Sequence, residues 1–253
     1  MAPHEEEAVP MFRTTHALIG LISLCFLSAA VQAADETPAA APAAAPAAAT
    51  DPTPVHTLFE TRQLDLIDKG GEVAYRFERK VSDERLLGKA YSDDIKLGVK
   101  NVGEKGEREV EFKAFTGEQA REPSSWPDLT INPLFIWYLE RAVSNFNNLA
   151  GGNQMYIKAK FRSALGDKAK IEPTKIDLNG KSIDGYKITV APFADDKNAT
   201  KMQGYEKSNF TIVLSKDAPG YFVDLQSTFE STAAAAPKLE ERISLVGLAG
   251  DKK

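Results

Sequence analysis

Asn132-Pro-Leu-Phe-Ile-Trp-Tyr-Leu-Glu-Arg-Ala-Val-Ser-Asn-Phe-Asn-Asn-Leu-Ala-Gly-Gly-Asn153 decides the fold, because the hydrophobic period of the chain changes there. Asn132 suits a helix N-cap, and Pro133 suits the first helical position, where its missing N–H is not needed. Phe135, Leu139, Ala142, Phe146 and Leu149 then recur at three- and four-residue spacing until Gly151 stops the run. Asn153 can cap a second helix through Leu165, with Gly166 as its terminator. Two helices separated by Gly151-Gly152 make a hairpin.

On both sides the period is two. Val73, Tyr75 and Phe77 alternate with Glu72, Arg76 and Glu78, and Ile95, Leu97 and Val99 repeat the pattern. Val110-Glu-Phe-Lys-Ala114 follows the Gly103-Glu-Lys-Gly106 turn, and Thr57 to Ile67 reads as a first strand with Asp68-Lys-Gly-Gly71 as its hairpin turn. Beyond the helices, Asn179-Gly180 is a tight-turn dipeptide. Tyr186-Lys-Ile-Thr-Val190, Asn209-Phe-Thr-Ile-Val-Leu214, Tyr221-Phe-Val-Asp-Leu225 and Ile243-Ser-Leu-Val246 are strand patterns. No repeat of fixed period is present. The predicted architecture is strands, helix, helix, strands: an α+β fold with a curved antiparallel sheet and a central two-helix hairpin packed on one face.

Residues 11–33 read as a signal peptide. Arg13 precedes the apolar run Ala17 to Ala30, and Val31-Gln-Ala33 offers small residues for cleavage before Ala34. Glu5-Glu-Glu7 is wrong for a positive signal start, so Met11 is the better start and residues 1–10 read as a mis-assigned extension. The apolar run falls short of the ~20 residues of a spanning helix, so no stable membrane span is expected after cleavage, with an uncleaved membrane anchor as the competing reading. Cys25 lies inside the apolar core rather than behind small residues, which argues against lipid attachment. Residues 34–55 form an Ala/Pro linker, with Pro38, Pro42 and Pro46 at four-residue spacing. Such a segment buries too little to offset its ordering entropy. Residues 56–253 are expected to form a single α+β domain in the periplasm or outside the cell.

Composition excludes more chemistry than it suggests. Cys25 is the one cysteine of the chain, and the histidines are His4, His16 and His56. After cleavage there is no cysteine, and no histidine beyond the domain margin. Disulfides, thiolate sites, most zinc sites and Ser-His-Asp triads are thereby removed. The mature part carries 30 Lys and Arg against 33 Asp and Glu, a net charge of −3, and calls for no nucleic acid. No cofactor is expected. Asp195-Asp196, within Ala194 to Thr200, and Asp177 to Asp184 lack calcium-loop spacing and read as a solvated loop and a hairpin, so no metal is expected. No G-x-S-x-G or S-x-x-K motif occurs.

Two sets of residues remain as candidate contacts. Trp126, Trp137 and Tyr138 lie around the start of the first helix and read either as core or as pocket lining. A curved sheet with a helical hairpin on its concave face can enclose an apolar cavity, and Phe135, Trp137, Tyr138 and Phe146 are the side chains expected to line it. Lys158, Lys160 and Arg162, with Lys168 and Lys170, form a basic cluster beside Tyr156 and Phe161. It could meet anionic lipid headgroups or envelope polymers, or it could simply be a solvated helix end.

Asn132-Pro133 to Glu140-Arg141, Gly151-Gly152 with Tyr156-Ile-Lys-Ala-Lys-Phe-Arg162, Gly180-Lys181 through Pro192-Phe193, and Leu214-Ser-Lys-Asp-Ala-Pro-Gly220 resemble a family of uncharacterised exported proteins of Gram-negative bacteria. The resemblance spans most of the domain through turn and core patterns. It implies a periplasmic, sheet-rich protein and carries over no functional residue. At the level of architecture alone, the chain also looks like half-barrel carriers of lipid or lipoprotein acyl chains, an analogy of fold. The expectation is an exported, non-enzymatic binding or carrier module for an apolar or lipidic ligand. The alternatives are a tethered structural or interaction protein of the cell envelope and, behind it, a hydrolase working with carboxylates alone.

Overall fold

Alternation in Glu72–Val81 produces strand β1, which buries Val73, Tyr75 and Phe77 and leaves Arg76 in solvent. This computed structural model describes residues 52–248. The expected signal peptide, the ten residues before it and residues 34–51 of the expected linker lie outside the described residues. From β1 the chain passes through the short helix α1 (Glu84–Leu87), whose N-cap Asp83 accepts the Arg85 and Leu86 amides, into β2 (Tyr91–Val102), β3 (Arg108–Lys113) and β4 (Ser124–Leu129). Helices α2 (Pro133–Ala150) and α3 (Gln154–Asp167) follow. The chain then forms β5 (Lys170–Leu178), β6 (Lys181–Val190), β7 (Asn209–Leu214), β8 (Phe222–Phe229) and β9 (Leu239–Leu248).

The nine strands make one antiparallel sheet in the order β4-β3-β2-β1-β9-β8-β7-β6-β5. Two meanders are joined by the pairing of β1 with β9, and the helical hairpin connects one edge strand, β4, to the other, β5. The sheet does not close. Pro127 in β4 and Pro173 in β5 remove donors from the two edges, which discourages further strand addition. Irregular register at Ala74/Tyr75, Val99/Asn101, Arg108/Val110 and Val213/Leu214 bends the strands. The fold is the α+β arrangement expected, with both helices against the sheet.

The main core lies between that sheet face and the helices, where Phe77, Leu97, Phe112, Phe210, Ile212 and Phe229 meet Leu134, Phe135, Tyr138, Phe146, Ile157 and Phe161. The opposite face carries charged pairs such as Arg76–Asp94, Lys96–Glu72 and Arg242–Asp224. A small second cluster, Ile176, Ile183 and Ala218, forms apart from the main core. A Cβ on Gly185 would collide with Ile176 Cδ1 and the Leu214 carbonyl oxygen, so only glycine lets β6 pass so close to its neighbours.

Two local expectations change, and one strand appears that was not expected. Thr57 to Ile67 is not a strand: His56–Glu60 is a π-helical turn, and the segment after it is irregular. The Gln63 side chain explains part of this, since its amide donates to the Leu58 carbonyl at 2.8 Å and its oxygen accepts the Asn132 amide at 2.8 Å. Leu64 and Ile67 are buried without alternating. Helix α3 continues through Gly166 to Asp167 and ends where the Lys168 and Ala169 amides both reach the Ala164 carbonyl. Strand β4 lacks a legible signal, because Pro127 and the positive φ of Asp128 (54°) interrupt it.

Asn132 joins these parts. Its Oδ1 accepts the Leu134 amide at 2.9 Å, capping α2. Its Nδ2 donates to the Gly220 carbonyl at 2.7 Å and to the Tyr75 hydroxyl at 3.1 Å, and that hydroxyl in turn reaches Gly220 O at 3.4 Å. Burial pushes the Tyr75 phenol well above its ordinary pKa, with the Asn132 contact opposing it, so it stays a neutral donor. Asn132→Ala removes both the cap and the partner of a buried carbonyl, for an expected loss of roughly 2–4 kcal/mol in denaturant unfolding. Asn132→Ser restores the cap alone and is expected to recover only about 1 kcal/mol. Wild-type stability in the serine variant would show that the amide bridge contributes nothing.

Candidate functional site

Between the β3–β4 edge and the first half of α2 lies a cleft of about 470 Å³. Phe112, Ala114, Trp126, Leu129, Ile131, Pro133, Ile136 and Trp137 line it, with Arg121, Glu122, Ser124 and Glu140 as the polar residues. Trp126 and Leu129, which flank the break in β4, help build the cleft. Register slips between Arg108/Leu129 and Val110/Trp126, and β4, an edge strand, leaves most of its side chains exposed, with Leu129 packing against the core. Trp126 remains 38 % exposed, with its ring 6.2 Å from Phe112, and Ile136 is 43 % exposed on the facing helix.

The connection from β3 to β4 is tied at its start by Asp93. This carboxylate accepts the amides of Asp94 (2.7 Å), Thr116 (3.0 Å) and Gly117 (2.9 Å). Burial pushes the carboxyl up, and the Thr116, Asp94, Gly117 and Gln119 amides more than offset it, holding it below the usual carboxylate range. Phe115 takes a positive φ of 69° at this point and is buried against Phe77, Tyr91 and Trp137. Trp137 thus forms a cleft wall that is itself fixed by Phe77, Phe112 and Phe115 at 5.5–6.1 Å.

Arg141 lies against the same aromatic group. Its guanidinium carbon is 4.8 Å from the Phe77 ring centre and 5.0 Å from that of Trp137. It donates to Glu241 through Nε (3.1 Å) and Nη2 (2.5 Å), and Arg79 pairs with the same carboxylate. Burial lowers the Arg141 pKa, and the Glu241 charge and hydrogen bonds outweigh it, leaving the guanidinium above its ordinary value. Neither the 2.0-residue strand period nor the helix pattern singles out Glu241 or Arg79, because the network needs β1, β9 and α2 in place together.

The aromatic residues expected to share one cavity are distributed. Phe135 is in the core, stacked on Phe222 at 5.3 Å, and Tyr138 is buried beside it with its hydroxyl on the Gln226 carbonyl at 2.7 Å. Phe146 is buried further along α2, stacked on Phe193 at 4.0 Å, where it borders a smaller cleft of about 300 Å³ with Gly151, Tyr156, Asn198 and Met202. Trp137 reaches the main cleft. Residues 135 and 137 point roughly 200° apart on a 3.6-residue helix, which is why they cannot share a pocket. Trp126, noted beside the helix start, joins Trp137. Phe112, Leu129, Ile131 and Ile136 were not singled out, and recognising Ser124–Leu129 as a strand would have brought them together.

The basic cluster is largely paired. Lys158 meets Glu140 at 2.7 Å, Lys160 meets Asp196 at 2.9 Å, and Lys168 meets Asp195 at 3.7 Å. Arg162 is exposed and has no ion pair among the described residues. Another cleft, of about 530 Å³, is lined by His56, Thr61, Asp184, Lys216, Asp217 and Tyr221 and adjoins Pro52, the first described residue. Among the described residues no group of three or more His, Cys, Asp or Glu is placed to hold a metal ion, and no helix is long and apolar enough to cross a membrane.

No family model matches the chain, and no curated protein matches it. Among solved structures, that of Mycobacterium tuberculosis lipoprotein LppX aligns over 79 % of this chain and 95 % of that chain, with 12 % identity and a TM-score of 0.30. A likeness of that size assigns neither a shared fold nor a ligand.

Asp196 supplies a prediction for this region. Burial raises its carboxyl, but the Tyr156 hydroxyl (2.6 Å), Lys160 and the Asn198 amide (2.8 Å) bring the pKa down to about 2. The resulting stability is fully present above the unfolded value of about 3.9 and is lost as pH falls through about 2. Asp196→Asn is expected to cost about 2 kcal/mol at pH 7, lowering Tm by roughly 4–8 °C, with the difference shrinking toward pH 2. Melting curves at both pH values check it; an equal difference at both would exclude the ionised pair as the cause.

Proposed function

We propose that this protein is an exported, non-enzymatic binding module that holds an apolar or lipidic ligand in the cleft between β3–β4 and α2. The observation that carries this reading is the pairing of Trp126 and Ile136, two of the large apolar side chains left exposed, on the walls of one cleft. Exposed apolar area costs roughly 25 cal/mol per Å² relative to burial, so surface of this kind is retained where something covers it. The cleft volume falls in the range of small-molecule sites, about 300–1,000 Å³. The signal pattern over residues 11–33 supports action in the periplasm or outside the cell. Direct envelope attachment through the basic cluster has less support, because Glu140 and Asp196 already engage Lys158 and Lys160.

The chain contains two tryptophans, and both line this cleft. Intrinsic fluorescence therefore reports on it without a label. Titration with the neutral apolar probe N-phenyl-1-naphthylamine is expected to give saturable energy transfer from tryptophan. Ile136→Asp is expected to weaken the probe about tenfold or more through loss of one apolar contact surface, with stability within about 0.5 kcal/mol because the residue is exposed. Unchanged tryptophan emission in the presence of saturating probe would sink the reading.

A further inference from the structure

The buried charge beside the cleft is unbalanced, and the imbalance has one sign. Arg79 and Arg141 share the single carboxylate of Glu241, whose side chain is 4 % exposed. Among the described residues Glu241 is the one carboxylate paired with Arg141. Two guanidiniums and one carboxylate leave the trio at +1. Asn145, 9 % exposed, adds to the deficit: its Oδ1 faces Arg79 at 3.4 Å, while its Nδ2 is the buried side-chain donor that has no partner among the described residues. The trio lacks a negative charge and the Asn145 amide lacks an acceptor. A buried unpaired donor is costly, so the arrangement is one that an anion would complete.

Position links this deficit to the cleft. Trp137, Arg141 and Asn145 are spaced at four residues and so form one stripe along α2, about 6 Å per step. Trp137 is a cleft wall, and Arg141 rests on its ring with 25 % of its side chain still exposed. We infer that the ligand of the cleft is a long-chain aliphatic carboxylate, its tail between Trp126, Ile136 and Trp137 and its carboxylate received by Arg141. This rests on the binding reading above and names its ligand class. A monoanion is what a net charge of +1 matches, and a guanidinium offers the planar fork that a carboxylate accepts in two parallel bonds.

The test displaces N-phenyl-1-naphthylamine from the full chain with hexadecanoate and, separately, with hexadecanol, which has the same tail and no charge. Hexadecanoate is expected to bind about tenfold or more tightly, the scale of one charge-assisted hydrogen bond. Arg141→Gln is expected to abolish that preference, bringing hexadecanoate and hexadecanol to equal affinity in the variant. Arg141→Lys, which keeps the charge without the fork, is expected to retain part of it. Because Arg141 is ion-paired, the glutamine variant could fail to fold, and the comparison on the unmodified protein then decides. Equal displacement by the two ligands overturns the carboxylate assignment and leaves the apolar cleft standing; displacement by neither overturns the cleft reading itself.

Discussion

The side-chain amide of Asn132 is the point on which the architecture turns. The N-terminal meander offers it the Tyr75 hydroxyl, the C-terminal meander offers the Gly220 carbonyl, and the helix between them offers the Leu134 amide. One buried group thus sets where α2 begins relative to both halves of the sheet. Gln63 extends the same network to the segment ahead of β1. Buried polar networks of this kind specify a unique arrangement when every member is satisfied. Shifting the start of α2 by one residue would rotate Phe135 and Tyr138 off the sheet by about 100° and carry Trp137 away from the edge.

The cleft depends on a second constraint, the conflict between strand geometry and proline. Pro127 and the positive φ of Asp128 stop β4 from extending the ladder regularly, and on this edge strand Trp126 stays 38 % exposed although it pairs opposite buried Val110. On the helix side, Trp137 is held by aromatic neighbours on one flank and by Arg141 beyond. Arg141 in turn depends on Glu241, which comes from β9. A rigid wall and a charge of fixed position therefore meet at one edge of the sheet. The pairing of β1 with β9 brings them together, since Arg79 sits on β1 and aligns with Glu241 across that pair.

Elements with a strong period were legible. Strands β1, β2, β3 and β7 and helix α2 stand where the alternation and capping signals put them, α3 starts at its Asn153 cap and runs past Gly166, and the Asn179-Gly180 turn joins β5 to β6. The misreadings share a cause. Thr57 to Ile67 carries apolar residues, but its backbone bonds close local turns (Thr57 to Thr53, Thr61 to His56, Ile67 to Leu64), with the Gln63 amide on Leu58, rather than pairing with a neighbouring strand. Ser124–Leu129 is a strand because β3 pairs with it, not because of its own residues. The site followed the same division. Trp137 and Trp126 could be noted as aromatics near a helix start, whereas their meeting with Phe112 and Ile136 depends on that pairing.

The sequence by itself determined the local periods, the helix caps, the α+β order of elements and the scarcity of cysteine and histidine. Each of these is set by neighbours within a few residues or by composition alone. Tertiary structure decided which aromatics are core and which face a cleft, which lysines are neutralised, and that two arginines share one glutamate. Those outcomes join residues 79, 141 and 241, or 112, 126 and 137, across distances along the chain that no local pattern encodes. They are fixed by strand register and by the rotation of α2 about its axis, and both are global properties of the packed chain.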